Sequence, residues 1–318
     1  MNEKKSMREV FIESIWEHMH KDGKIFFLSA DFGSIALDNI RKDFCDRFIN
    51  VGIAEQNLVN LSVGLALEGY KVYAYAIAPF LSMRCYEQLR NLSMLAQLRE
   101  LDVNLIGVGA GLSYDLSGPS HHSYEDITLM RLLPHVEVFS PSDWVVTKEI
   151  AKVSLIQKTP KYIRLDGKPL NRIYSGNVSL QRGFSILKEG RKVCLLSTGY
   201  MTHVSLRVVK ELESAGIDSG LIDVFTLKGF NPKALYSSLS GYNRIITLEE
   251  GFINRGGFDS LIANLLIDNE SEIKLKKIGF KGKYIFENGN RDALHKINSM
   301  DCGSIKKEVV KSWGKAGY

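Results

Sequence analysis

Two short stretches carry side chains able to move protons. In NVGIAEQNLVNLSVGLALEG, residues 50–69, one carboxyl group, Glu55, heads an otherwise apolar helical stretch. An acidic residue in a first helical turn can simply answer the positive end of the helix dipole. A carboxyl in apolar surroundings can also have a raised pKa, which suits acid–base work near neutral pH. In GPSHHSYEDI, residues 118–127, a Gly-Pro turn precedes His121 and His122. Histidine titrates near neutrality, so His121 is a candidate proton donor or acceptor. No third ligand stands at suitable spacing, so no metal site is expected on this chain. His18, His20, His135, His203 and His295 are expected to be structural or exposed.

A third stretch, APFLSMRCYEQLRN (78–91), sets Phe80, Met83 and Tyr86 at helical spacing. They form either ordinary core or the wall of a pocket for a flat ring.

The elements that must position these groups alternate. A helix containing Met7, Val10, Phe11, Ile15 and Met19 ends near Gly23, and the strand KIFFLSA follows. RFINVG is a second strand, leading into the Glu55 helix. KVYAYAIA is a third, followed by one long helix over FLSMRCYEQLRNLSMLAQL. VNLIGVGAG, VEVFSP, a helix over 143–157 and KYIRL complete the first block. Continuous apolar strands alternating with helices predict an α/β fold with a parallel sheet covered on both faces. Residues 166–190 lose the periodicity and read as a linker with a hairpin. A second α/β alternation follows through KVCLLSTG, GLIDVFTLK and RIITLEE, so two doubly wound domains are expected, 1–185 and a smaller 186–318.

The bulk numbers exclude several classes. The chain has 318 residues, 45% hydrophobic and 24% charged, enough for two cores. Its 41 basic and 36 acidic residues are interspersed, which argues against nucleic-acid binding. The N-terminal stretch does not read as a secretory leader, and no apolar run of membrane length is seen. The four cysteines are far apart and form no CxxC pair, which suits a reducing compartment, so a cytoplasmic location is expected.

GIAEQN after RFINV resembles the pyrimidine-binding domain of transketolases and other thiamine-diphosphate enzymes. The resemblance continues in order through LSADFGS (28–34), APFLSMRCYEQLRN, GPSHHSYEDI, FSPSD (139–143) and STGYMTHVSL (197–206). IDVFTLKGF (222–230) and TLEEGFINRGGFDS (247–260) resemble the family's C-terminal domain. By this resemblance, Glu55 hydrogen-bonds a ring nitrogen of the cofactor's pyrimidine. That drives the ring's amino group towards the imino form that deprotonates the thiazolium carbon. Phe80, Met83, Tyr86 and Asp31 would line the cofactor, with Met83 standing where many relatives have an aromatic. His121 would face substrate, and His122, Ser117 and Lys168 are further substrate-contact candidates. The double histidine is also similar to β subunits of 2-oxoacid dehydrogenases.

A full-length transketolase has an N-terminal domain whose GDG…N motif holds magnesium and the diphosphate. DGK at 22–24 and 166–168 lacks such ligands. The resemblance therefore implies the C-terminal subunit of a split transketolase, inactive alone. Its Mg2+ ligands would lie on a separate diphosphate-binding partner, within an α2β2 assembly. A non-catalytic scaffold subunit and half of a deoxyxylulose-phosphate-synthase-like enzyme are the other readings. The sugar-phosphate contacts depart from the family. Ser117 replaces an aspartate, Gly109 and Ala110 stand where a histidine is usual, and Gly167 replaces an arginine beside Lys168. These losses predict sugars other than the standard sugar-phosphate pair.

Overall fold

Some helix starts in this chain are set by polar side chains. The computed structural model, which describes residues 3–314, shows Ser6, Asp143, Asn231 and Asn290 each accepting a first-turn amide of the helix that follows. Asp143 does more than cap. One oxygen takes the Val145 and Val146 amides at 2.9 and 3.0 Å, and the other takes the Ile173 and Tyr174 amides at 2.7 and 3.1 Å. The start of the Trp144–Ile156 helix is thereby pinned to the segment after the last parallel strand of the first sheet.

The apolar runs form two sheets. The first has seven strands in the order Thr226–Lys228, Glu137–Phe139, Lys161–Leu165, Val103–Val108, Lys71–Ile77, Ile25–Ser29, Phe48–Asn50. All of its pairings are parallel except that of Thr226–Lys228, which comes from the C-terminal half and closes one edge antiparallel. The second sheet has the order Lys274–Phe280, Tyr242–Phe252, Lys192–Ser197, Ser219–Val224, Phe184–Lys188. Helices cover both sheets, as expected from strands buried along their length. No helix among the described residues is long and apolar enough to cross a membrane.

Three expectations change. The helix expected over 80–98 breaks into Ala78–Met83 and Tyr86–Ala96, with Arg84 and Cys85 at the corner. Residues 166–190 hold no hairpin. Leu170–Asn171 pairs with Lys4–Lys5, and Phe184–Lys188 is the antiparallel edge of the second sheet. GLIDVFTLK splits after Val224, its first part staying in the second sheet and its last three residues crossing to the first. In the last two cases a long-range strand pairing overrides the local pattern.

Candidate active site

Parallel sheets gather their functional loops at the carboxyl ends of the strands. Asp31 follows Ile25–Ser29, Glu55 follows Phe48–Asn50, Phe80 follows Lys71–Ile77, and the His121 loop follows Val103–Val108. Sequence-distant residues are thus brought to one edge of the first sheet.

Glu55 opens the Glu55–Leu67 helix and is only 5% exposed. Gly52, at φ +74°, makes the preceding turn possible. The Glu55 carboxylate does not sit in a purely apolar pocket. The Arg84 Nη1 donates to both of its oxygens, at 3.0 and 3.2 Å. The same guanidinium lies over the Phe80 ring, 4.1 Å from its centroid, and the His121 ring meets Phe80 edge-on at 5.1 Å. Phe80 is therefore the common neighbour of the histidine and of the arginine that holds the acid. Nothing in the sequence singles out Arg84, because a continuous helix gives no reason to pick one charged residue over its neighbours.

Tyr86 is half-buried and donates its hydroxyl to the Leu129 carbonyl at 3.0 Å, tying the wall to the Asp126–Leu132 helix. Burial raises its phenol pKa. Met83 is exposed. Asp31 has a positive φ and is exposed, exchanging bonds with Asn50: its amide donates to the Asn50 Oδ1 and its carboxylate accepts from the Asn50 Nδ2, both at 3.0 Å.

The two histidines diverge. His121 stays partly exposed, its Nδ1 3.1 Å from the Ser120 hydroxyl. His122 turns inward and is 1% exposed, with Nδ1 at 2.7 Å from the Tyr124 hydroxyl and Nε2 near the Asp115 carbonyl. Burial pushes its pKa down. The chain direction after His121 turns the His122 ring into the core, where these bonds tie it into the loop. Ser117 is exposed at the end of a short turn, Asp115–Ser117.

Lys168 is half exposed. It pairs with the buried Asp115 carboxylate, which also accepts the Arg291 amide at 2.7 Å. These partners outweigh the effect of burial and lower the Asp115 pKa. Lys168 lines a cavity of about 550 Å³ with Arg172, Tyr200, His203 and Arg207, to which Glu55, Phe80 and His121 do not contribute.

A second acidic centre has only a faint signal in the sequence. Glu250 receives Arg291 Nε at 2.8 Å and a second guanidinium nitrogen. His295 Nε2 lies 2.5 Å away, and the Leu112 amide donates at 3.2 Å. Arg291 also reaches Asp166 at 2.6 Å. Burial alone would raise the Glu250 carboxyl, but Arg291 and His295 hold it well below the usual carboxylate range. A Cβ on Gly111 would lie 2.1 Å from the Glu250 Oε2, so only glycine lets this latch reach the loop. The signal is TLEEGF, two acids at the end of a buried strand, since buried charges need partners.

Tyr114 fills the space beside Gly109 and Gly167. A Cβ on Gly109 would stand 2.5 Å from its ring and one on Gly167 2.8 Å, so one aromatic ring closes both positions.

Residues 3–171 match the transketolase pyrimidine-binding domain and residues 183–305 the transketolase C-terminal domain. The chain belongs to the transketolase family. It is 32% identical over 266 residues to an apulose-4-phosphate transketolase subunit from Actinobacillus succinogenes, covering 83% of this chain and 84% of that one. A 6-deoxy-6-sulfo-D-fructose transketolase subunit of Clostridium sp. is 29% identical, over 96% of this chain and 92% of its own. A solved structure described as a split-gene transketolase in an inactive β4 tetramer superposes with TM-score 0.85 at 31% identity, over 96% of this chain and 97% of that chain. Transketolases depend on thiamine diphosphate. The residues beside Glu55 fit the cofactor's aminopyrimidine: the flat guanidinium of Arg84 marks a space that meets a buried carboxylate and an aromatic face together.

Proposed function

We propose that this chain is the pyrimidine-binding subunit of a two-chain transketolase that transfers a two-carbon ketol unit between sugars. The observation that carries the reading is the buried Glu55 carboxylate beside the Phe80–His121 wall at the carboxyl edge of the parallel sheet. The full-length match to split subunits supports a separate partner that supplies the diphosphate and Mg2+ contacts, in an α2β2 assembly.

Bound thiamine diphosphate supplies a carbon nucleophile and an electron sink for carbon–carbon cleavage. Glu55 holds the proton shared with the pyrimidine ring nitrogen. Phe80, with Tyr86 and Met83, orients the ring. Asp31 borders the site at the neighbouring strand end. His121 exchanges protons with substrate oxygens, and Ser117, on the same loop, contacts the donor sugar. The anchored His122 and the Lys168–Asp115 pair act on loop shape.

The substrates differ from the standard sugar-phosphate pair. The support is Tyr114, which takes up the room that side chains at 109 and 167 would need. Relatives named for apulose 4-phosphate and 6-deoxy-6-sulfo-D-fructose are in keeping with this. The test is to reconstitute the chain with its diphosphate-binding partner and screen ketose donors. Cofactor-dependent transfer from a non-standard donor is expected. Turnover of xylulose 5-phosphate with ribose 5-phosphate at ordinary rates would overturn the substrate assignment.

A further inference from the structure

An aminopyrimidine needs two things from this site: a hydrogen bond with the Glu55 carboxyl and a flat face to lie against. Arg84 takes both. Its Nη1 donates to the two Glu55 oxygens at 3.0 and 3.2 Å, and its planar cation lies 4.1 Å over the Phe80 ring. The helix break at Arg84–Cys85 helps explain how it gets there. Arg84 ends the Ala78–Met83 helix, four residues after Phe80 on the same face, with its amide bonded to the Phe80 carbonyl at 3.0 Å.

The two partners are unequal. The Glu55 side chain is 6% exposed, whereas that of Arg84 is 47% exposed. A long cationic side chain that is half exposed can leave without stranding itself, since water can replace what it loses. The carboxylate cannot, because a buried charge without a partner is costly. The site thus holds an acid that always needs a partner and an arginine free to give way.

Resting on the thiamine-diphosphate reading above, we infer that Arg84 is a stand-in for the pyrimidine. It keeps Glu55 and Phe80 in place while the cofactor is absent and is displaced when the cofactor binds. Arg84 is accordingly a positioning residue that competes with the cofactor. This makes an unusual prediction: removing an ion pair from the pocket improves cofactor binding, because the competing contact exists only in the free state.

The test is calorimetric titration of thiamine diphosphate, with Mg2+ present and no sugar, into the assembly of this chain with its diphosphate-binding partner. Wild type is compared with Arg84→Ala and Arg84→Met, the latter retaining an apolar stem should the former fold poorly. Losing an exposed ion pair and a cation–aromatic contact from the free state should tighten binding about fivefold. On a Glu55→Gln background the same substitutions should give no such gain, because the charge that Arg84 neutralises is gone. A purely structural arginine would not produce this dependence on Glu55. Unchanged or weaker binding in both Arg84 variants, with wild type binding normally, overturns the stand-in role alone. A wild-type assembly that binds no cofactor overturns the functional reading and this inference with it.

Discussion

Glu55 and Glu250 are both nearly sealed from solvent and both meet an arginine, yet their surroundings differ in kind. Glu250 lies among Arg291, His295 and the Leu112 amide, and Arg291 is itself buried and shared with Asp166. Among the described residues Glu55 has one charged partner, and that partner is half in water. The first arrangement spends a buried acid on shape, fastening the C-terminal half onto the loop that carries His121. The second holds an acid whose partner can be exchanged. Burial of a carboxylate therefore does not by itself mark a catalytic group. The freedom of its partner to leave is the more telling feature.

Substitutions can break this contrast, and the largest effect is expected at Glu55. Glu55→Gln should lower turnover of the reconstituted enzyme by about a hundredfold or more, while the unfolding free energy of the chain shifts by less than about 1 kcal/mol. Steady-state kinetics and urea denaturation read the two. A large loss of stability would make Glu55 structural like Glu250.

Glu250→Ala should do the reverse within the free chain, costing about 3–5 kcal/mol because it leaves Arg291 and His295 buried around a void. Denaturation of the purified chain measures this, and a cost below about 1 kcal/mol would reduce the network to an ordinary surface pair.

Acid should separate the His122 environment from the latch. His122 is held below its ordinary 6.5 by burial, so its neutral form stabilises the fold fully above that pH and the contribution declines as pH falls below it. Glu250 is held below its ordinary 4.5, so its contribution persists above 4.5 and is lost only as pH falls further. A pH series of melting temperatures should show the acid-side fall flattened below 4.5 in Glu250→Gln and unchanged between 6.5 and 4.5. An identical profile for both proteins would contradict the latch.

The smallest effect is expected at Met83. It is 45% exposed, and Met83→Ala should change stability by no more than about 0.5 kcal/mol. A loss of several kcal/mol would show that the wall depends on it for packing.

How much of this is legible in the sequence depends on range along the chain. Glu55, Phe80 and His121 each sit in a local pattern, a helix start, a helix face or a turn after a strand, and the alternation of apolar strands with helices points to the parallel sheets. The latch joins Glu250 to the Leu112 amide across 138 residues. Nothing local signals that pairing except two acids ending a buried strand. Phe184–Lys188 is hidden for the same reason, since its partner strand lies across a connection and its flanks are rich in turn residues. His122 shows the limit within a motif. Two adjacent identical residues have opposite surroundings, and only the backbone decides which one faces outward.

The most direct measurement is ketol transfer by this chain alone, and then mixed with the proposed diphosphate-binding subunit, in the presence of thiamine diphosphate and Mg2+. No transfer by the chain alone and cofactor-dependent transfer by the mixture, abolished by Glu55→Gln with the assembly intact, is the expected result. Full transfer by the chain alone, or transfer by the mixture that survives Glu55→Gln, would contradict a shared site built on Glu55.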